Sequence, residues 1–402
     1  MTLRRLLMTV DAVGGVWTYA LDLARGYRDH GVETVLAVLG PPPSTAQADA
    51  AAGIALVQAG VQPEWLADSA AEVHEGGRRL AALAADVGAD LVQLNHPALA
   101  AGGAFDLPLA AVAHSCVLTW WQAVKHGPID LALGWRADLT DAGLRAADLV
   151  VAPSAAFAAA VQAAYRLPGR PQVVHNGRAP MTLSPAPQKN VAFTAGRLWD
   201  AGKNLAVLDA AAARLPVPVR AAGPVAGPNG DAVALRNLEL LGNLPEPALA
   251  AEFAARPIFV SAALYEPFGL AVLEAAQAGC ALVLSDIPTF RELWDGAACF
   301  VPPDDAEGFA RAIVALLADP ERRAVLGAAA QERSARYSVR AMTQGMLDLY
   351  DALRSPSPLA GASGRSVPRT DLNRPGDGSP DAGGARSRSE WEGEGSSSRV
   401  AA

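Results

Sequence analysis

The chain has 402 residues, 51% hydrophobic and 18% charged, with a formal net charge of −8. This length favours two globular domains, and an acidic chain without a basic patch is unlike a nucleic-acid-binding protein. Three scattered cysteines (Cys116, Cys280 and Cys299), with no apolar run as long as a signal peptide or a membrane helix, predict a cytoplasmic protein with reduced thiols.

The chain opens with a strand, a glycine turn and a helix. Leu6–Val10 is an apolar strand, Gly14-Gly15 is a tight turn, and apolar residues then recur at helical spacing until Gly31. This pattern is Rossmann-like, but its glycines do not fit G-x-G-x-x-G, which disfavours a nicotinamide cofactor. Gly14-Gly15 either lets a ligand's phosphate or sugar approach the backbone or only connects two elements.

Strands and helices continue to alternate, which predicts a parallel sheet. The next predicted elements are the strands Val35–Leu39, Ile54–Val57, Leu91–Leu94, Leu109–Ala113, Asp148–Ala152 and Gln172–His175, with a helix over Glu64–Asp86. His114 follows one of these strands, at the edge where such sheets bind ligands, so it is a ligand contact or a structural histidine. His96, which also follows a strand, is a weaker candidate for the acceptor side of the site. An aromatic and basic cluster, which either stacks on a sugar ring or covers the core, comprises Trp120, Trp121, Lys125 and His126.

A linker separates this region from a second α/β region. Asn176-Gly177 is a turn signal, and Arg178–Asn190 contains three prolines. The second region begins with the strand Val191–Ala195. Further strands are predicted at Val217–Ala222 and Leu238–Leu241.

Two cations follow the first strand of the second region, in the stretch G-R-L-W-D-A-G-K-N-L. Arg197 and Lys203 flank a short loop, and Lys203 is predicted to begin a helix that runs to about Arg214. A helix N-terminus already favours negative charge, so the two cations suit a diphosphate; the alternative is a pair of surface cations.

A strand–loop–helix–strand unit follows. A strand over Pro257–Ala262 leads into the turn E-P-F-G, a helix over Leu270–Ala278 stopped by Gly279, and a strand over Ala281–Ser285. Three later helices are predicted, over Asp304–Ala318, Pro320–Arg336 and Val339–Leu353.

Two glutamates lie in this unit with seven residues between them. Glu266 is in the turn and Glu274 a little over one turn into the helix, so both can face one crevice, or both can be solvated surface residues. The amides of Phe268, Gly269 and Leu270 are free helix-terminal donors that suit an anion. Carboxylates beside a phosphate-binding terminus indicate a ligand with hydroxyls and phosphate, such as a sugar nucleotide.

These residues resemble glycosyltransferase family 4. The segment E-P-F-G-L-x-x-L-E with A-G-C-A-L-V-L-S-D-I-P behind it is similar to the E-x7-E signature of that family, and G-R-L-x-x-x-K-N is a second matching motif. The resemblance extends from Leu6 to about Leu353. It implies a GT-B fold, in which two Rossmann-like domains face each other across a cleft and a C-terminal helix crosses back to the first domain. It also implies sugar transfer with retention of anomeric configuration.

The resemblance assigns further roles. His114 would approach the donor sugar, and the Gly14-Gly15 loop would line the donor site. The loops at Gly223 and at Asn243-Leu244 would hold the nucleotide base. Together, the residue patterns and the resemblance predict four catalytic residues: His114, Arg197, Lys203 and Glu266. They also predict that Phe268, Gly269, Leu270 and Glu274 bind the donor, with Glu274 on the ribose hydroxyls.

The predicted domain organisation has five parts. An acceptor-side domain covers 1–177, a linker 178–190, a donor-binding domain 191–337, a crossover helix 338–354 and a tail 355–402. The tail has 8 Gly, 10 Ser and 5 Pro among 48 residues, so it is predicted to be disordered.

The expected enzyme needs no metal, because no two aspartates have the D-x-D spacing of a divalent-metal diphosphate site. No cofactor is expected either. Its partners are a nucleoside-diphosphate sugar and an unidentified acceptor. From Met1 to His175 there are 11 Lys+Arg against 16 Asp+Glu, which favours a soluble acceptor and leaves weak peripheral membrane contact open. The alternatives are a non-catalytic sugar-nucleotide binding module and a GT-B-like epimerase or phosphorylase.

Overall fold

A computed structural model describes residues 3–125, 127–228 and 230–355. Two sequence predictions lie outside the described residues: the contribution of His126 to the aromatic cluster, and the disorder of the tail beyond Ser355. Within the described part, no helix is both long and apolar enough to span a bilayer.

The first domain is a parallel sheet with helices on both faces. Its strands are β1 (Arg5–Asp11), β2 (Glu33–Leu39), β3 (Ala55–Gln58), β4 (Leu91–Leu94), β5 (Leu109–Val112), β6 (Leu149–Ala152) and β7 (Gln172–Val173). Its helices are α1 (Gly15–Asp29), α2 (Thr45–Ala50), α3 (Ala70–Asp86), α4 (Val117–Val124), α5 (Leu131–Ala146) and α6 (Ala155–Tyr165), with a 3₁₀ turn at Pro97–Ala100. The strand order is β3-β2-β1-β4-β5-β6-β7, so the loops after β1, β4 and β5 lie side by side at one sheet edge.

The second domain repeats this architecture with six parallel strands. They are β8 (Ala192–Ala195), β9 (Val219–Ala222), β10 (Leu238–Gly242), β11 (Ile258–Ser261), β12 (Leu282–Ser285) and β13 (Ala298–Val301). The helices are α7 (Leu205–Ala212), α8 (Glu246–Ala254), α9 (Leu270–Gln277), α10 (Pro288–Trp294), α11 (Ala306–Ala318) and α12 (Pro320–Ser334), with a 3₁₀ turn at Ala201–Lys203. The order β10-β9-β8-β11-β12-β13 brings the loops after β10, β9, β8 and β11 to one edge.

The last helix, α13 (Val339–Arg354), packs on the first domain, which confirms the predicted crossing. Met342, Met346 and Tyr350 of α13 belong to the core around β1 and α1. Gly26 of α1 permits this contact, because a Cβ there would lie 2.0 Å from the hydroxyl of Thr343. Tyr350 also donates a hydrogen bond to the side chain of Gln93 at 2.5 Å.

Two predicted helix starts were wrong, and a local cap explains each. The helix predicted from Glu64 begins at Ala70, because the side chain of Ser69 accepts the amide hydrogen of Glu72 and ends the preceding turn. Lys203 does not begin a helix but ends the 3₁₀ turn. Asn204, at φ 56°, separates that turn from α7, and its side chain donates to the carbonyls of Ala262 and Pro303.

Candidate active site

Three loops of the second domain lie side by side at the carboxyl edge of its sheet. The amide of Gly196 donates to Ala222 at 3.0 Å, and the amide of Gly223 donates to Gly242 at 2.8 Å. Gly223 has φ 138°, and a Cβ on it would lie 1.8 Å from the carbonyl oxygen of Gly196, so a side chain is excluded there. The residues predicted to hold the base, Gly223, Asn243 and Leu244, lie on or next to these loops.

The two cations of the second domain lie on the loop after β8, each beside a carboxylate. Arg197 is 40% exposed and donates to Asp200 at 3.1 Å. Lys203 donates to Glu266 at 2.5 Å, and the amides of Leu264 and Tyr265 donate to the carbonyl of Gly202. The loop after β8, which carries both cations, is therefore hydrogen-bonded to the loop after β11. The structure brings Lys203 and Glu266 together, whereas Arg197 contacts Asp200.

The N-terminus of α9 completes this side. Gly269 is its N-cap with φ 96°, in the left-handed region that favours glycine, while Phe268 is buried beneath the turn. Glu274 lies on α9, but its Oε1 accepts a hydrogen bond from Nε of Arg178 at 2.9 Å. Burial raises the pKa of Glu274, and the Arg178 guanidinium opposes that rise. The two signature carboxylates thus have different cationic partners.

The glycine loop of the first domain faces the second domain directly. A Cβ on Gly14 would lie 3.4 Å from Nη1 of Arg197, and one on Gly15 would lie 3.2 Å from Cδ1 of Leu270. The loop therefore meets both the diphosphate candidate Arg197 and the first residue of α9. Because its two glycines have no side chains, the loop can approach Arg197 and Leu270 this closely.

His114 lies at the carboxyl end of β5, as predicted, in a network of the first domain. Its Nε2 contacts Oδ1 of Asn95 at 3.0 Å, and its ring packs edge-on against Tyr19 at 4.4 Å between centroids. Asn95 donates its amide group to the carbonyl of Thr9 at 2.7 Å, so Oδ1 is the acceptor and His114 carries its proton on Nε2. Burial lowers the pKa of His114 to about 3, which keeps the imidazole neutral with Nδ1 as an acceptor.

Sequence reasoning missed Asp11 and underrated His96. Asp11 ends β1, its Oδ2 contacts Nε2 of His96 at 3.1 Å, and its Oδ1 accepts the amide hydrogen of Val13 at 2.9 Å. Burial alone would raise the pKa of Asp11, but the hydrogen bond and charge of His96, the amide of Val13 and the charge of Arg197 across the cleft together lower it. The sequence did contain a signal for Asp11, because a polar residue that ends a buried strand of a parallel sheet is a candidate ligand-site residue.

Side chains of both domains also meet beside the cations. Trp120 of α4 donates its indole N–H to Asp200 at 3.1 Å, so this tryptophan is an interdomain contact. The hydroxyl of Tyr265 accepts the amide hydrogen of Cys116 at 3.2 Å and contacts Thr119 at 2.9 Å. Next to these contacts is a cavity of about 300 Å³, with Glu266 in its wall and apolar residues of both domains around it.

The amino-acid sequence is similar to those of known glycosyltransferases. Residues 13–180 match the sequence model described as Glycosyltransferase Family 4, and residues 186–333 match the one described as Glycosyl transferases group 1. A phosphatidyl-myo-inositol mannosyltransferase of Mycolicibacterium smegmatis is 28% identical over 378 residues, which cover 85% of this chain and 91% of the relative.

Solved structures share the fold. Sucrose-phosphate synthase from Thermosynechococcus elongatus superimposes with a TM-score of 0.71 and 20% identity, covering 87% of this chain and 99% of the other. HepE from Anabaena, solved with UDP and glucose, gives a TM-score of 0.66 and 19% identity over 87% and 100% of the two chains. The two facing Rossmann-like domains are those of the GT-B fold. The two sequence models together span most of residues 13–333, and with the mannosyltransferase relative they identify the chain as a glycosyltransferase of the family 4 type.

Proposed function

We propose that the enzyme transfers a sugar from a nucleoside-diphosphate sugar to a hydroxyl acceptor, with retention of configuration and without a metal ion. One observation carries the proposal: Arg197 and Lys203 lie on one loop, with the side-chain-free Gly14-Gly15 loop opposite Arg197. We place the diphosphate of the donor beside these two cations. Its developing charge is what a preorganised cation stabilises as the glycosidic bond breaks.

The donor's other parts have candidate contacts around that position. Glu266, held by Lys203, would accept a hydrogen bond from a hydroxyl of the transferred sugar. His114 would accept another through Nδ1, and the amides of Phe268, Gly269 and Leu270 would donate to phosphate oxygens. The loops at Gly223 and at Asn243-Leu244 would hold the base, with Glu274 on the ribose.

Retention is assigned to a front-face transfer. The bond between the anomeric carbon and the leaving phosphate oxygen breaks, the acceptor oxygen bonds to the same face of that carbon, and the acceptor proton passes to the departing phosphate. Asp11 is the first-domain carboxylate facing Arg197, but both of its oxygens already have hydrogen-bond partners. It is therefore better placed to hold His96 and the glycine loop than to act as a nucleophile.

The relatives' names guide the choice of substrates. Because two matching relatives are mannosyltransferases and a third is a D-inositol 3-phosphate glycosyltransferase, GDP-mannose and inositol-containing acceptors are tried first. The net charge of −5 over Met1 to His175 favours an acceptor presented in solution, which agrees with a cytoplasmic location.

The test is a donor and acceptor panel run in excess EDTA. Release of nucleoside diphosphate and formation of product are followed by mass spectrometry, and the anomeric configuration is read by NMR. We expect turnover to persist in EDTA with the donor configuration retained. Strict dependence on added Mg²⁺ or Mn²⁺ would overturn the metal-free proposal, and an inverted product would overturn retention.

A further inference from the structure

The second signature glutamate is held by an arginine outside both motifs. Arg178 follows the turn that leaves the first domain, and its Nε donates to Oε1 of Glu274 at 2.9 Å. Its Nη1 donates to Oδ2 of Asp22 on α1 at 3.0 Å. The side chains of Arg178, Asp22 and Glu274 are only 11%, 2% and 12% exposed, so this is a buried bridge of three charges.

The bridge is anchored at several points. The amide of Ala179 also donates to Asp22, at 3.4 Å, and the side chain of Gln277 on α9 donates to the carbonyl of Arg178 at 2.9 Å. Asp22 has a second cation nearby, Arg25, at 3.6 Å. Arg178 is thus fixed by both its backbone and its side chain between α1 and α9.

The two helices that Arg178 joins both begin in the proposed donor site. Gly15, the first residue of α1, faces Leu270, the first residue of α9. Asp22 and Glu274 lie further along these helices, where Arg178 spans the gap. The orientation of Glu274 therefore depends on a residue of the predicted linker and a residue of the first domain, not only on its own helix.

We infer that Arg178 is a positioning residue for donor recognition: it engages Oε1 of Glu274 and so directs Oε2 to the ribose hydroxyls. The inference rests on the ribose role proposed above for Glu274. A buried carboxylate without a cation would turn away or take up a proton, and a protonated carboxyl is a poorer acceptor of a ribose hydroxyl. Lysine would not replace Arg178, because one ammonium does not supply two donors in this fixed, fork-like geometry.

The test measures discrimination between ribose and deoxyribose. Dissociation constants are measured by calorimetry for UDP, GDP and ADP and for their 2′-deoxy and 3′-deoxy forms, with the intact chain. For the nucleotide that binds, we expect the wild type to prefer the ribo form by about tenfold or more, as for a hydrogen bond to a charged group. We expect both Arg178→Gln and Arg178→Lys to lose most of that preference, as Glu274→Ala does.

A matched control separates positioning from folding. Arg220 on β9 is also partly buried, at 18% exposure, and bridges two glutamates, Glu239 and Glu252. Arg220→Gln should lower the melting temperature in the same way as Arg178→Gln but keep the ribose preference. Asp22→Asn should give a partial loss, because Arg178 keeps its bond to Glu274 but loses a charged anchor.

A failure of this inference and a failure of the proposed function would give different binding results. If Glu274→Ala loses the preference and Arg178→Gln keeps it, the inference is overturned and the proposed donor site stands. A wild type that binds a nucleotide without any ribose preference removes the role of Glu274, and the inference with it. If no nucleoside diphosphate binds, the proposed function itself fails.

Discussion

The two faces of the cleft differ in the charge of the side chains that they present. On the second domain, Arg197 and Lys203 are partly exposed and paired with Asp200 and Glu266 across short loops. On the first domain, His114 is half-buried, neutral and packed against Tyr19, and it is hydrogen-bonded to the buried Asn95. The second domain therefore presents partly exposed cations, whereas His114 of the first domain is an uncharged hydrogen-bonding group.

This difference suggests that the two faces contribute to turnover in different ways. Cations near a leaving diphosphate should matter most when charge develops, whereas neutral, preorganised groups should matter through orientation. Charge neutralisation on the second face should therefore cost more turnover than truncation on the first. Of the four experiments below, those on turnover at Lys203 and His114 test that ranking, and those on stability test the charge states on which the comparison rests. They are ordered from the largest expected effect to the smallest.

The largest effect is expected at Lys203. Lys203→Ala should lower turnover at saturating donor about a hundredfold or more, since it removes a cation from the developing phosphate charge. Lys189, an exposed lysine of the linker, provides the control: Lys189→Ala should behave as wild type in the same steady-state assay. Weaker donor binding with unchanged saturated turnover would show that Lys203 only binds.

Acid stability comes next, because the pKa of His114 is lowered to about 3 by burial. The unfolded imidazole takes up a proton below about pH 6.5 and the folded one does not until about pH 3, so stability falls as pH falls through this window. His114→Asn should remove about 3 kcal/mol of the loss in unfolding free energy between pH 7 and pH 4. Denaturant titrations at both pH values give this difference.

The control for this measurement is His30→Asn, a change at an exposed histidine, which should leave the acid loss as in the wild type. The contribution of His96 to stability changes with pH in the opposite direction. Burial alone would lower the pKa of His96, but its bond to Asp11 and the charges of Glu64 and Asp11 raise it. Its contribution is complete below the ordinary histidine pKa and is lost as pH rises through the folded pKa. An unchanged acid loss in His114→Asn would contradict the neutral state of His114 in the folded protein.

The third effect is on catalysis by the first face. His114→Ala should lower turnover by about tenfold, the cost of one oriented hydrogen bond, which is less than the loss in Lys203→Ala. Because the imidazole is neutral over the assay range, the pH–rate profiles of wild type and His114→Ala between pH 6 and 9 should have the same shape. A larger loss than in Lys203→Ala would reverse the ranking of the two faces.

The smallest effect concerns a contact that joins the two faces at the N-terminus of α6. Glu292 of α10 accepts the amides of Ala155 and Ala156 at 2.9 and 2.7 Å and contacts Nε2 of His175 at 3.0 Å. Burial would raise the pKa of Glu292, but His175 and the two amides lower it by more. Glu292→Gln should lower the unfolding free energy by about 1 kcal/mol at pH 7, the size of a charge interaction at a helix N-terminus.

The pH dependence of this effect has a defined sign. A depressed carboxyl pKa gives stability that is present above the ordinary value and lost as pH falls through the folded pKa, so wild type and Glu292→Gln should converge in acid. Glu307→Gln, at a carboxylate that is 66% exposed, is the control and should change little. Equal stability of wild type and Glu292→Gln at pH 7 would show that the contact contributes nothing.

The amino-acid sequence by itself determined the class of fold and the loops that matter. Alternating apolar strands and helices predicted two parallel sheets, and Gly14-Gly15, the G-R-L-x-x-x-K-N stretch and the E-x7-E pair lie at the carboxyl edges of those sheets. Such features are readable because period, turn residues and motif spacing are local. The roles assigned to these residues in catalysis and donor binding stay predictions.

Only the tertiary structure decided the partners of those residues. Lys203 and Glu266 are 63 positions apart, and Arg178 meets Asp22 and Glu274 from 156 and 96 positions away. Spacing along a helix or strand says which face a side chain shares, but not which distant residue lies opposite, because that depends on how two separately folded sheets are packed. The Asp11–His96 pair and the neutral state of His114 could not be predicted from the sequence for the same reason. Burial and hydrogen bonding fix the protonation state of a side chain only once the chain has folded around that side chain.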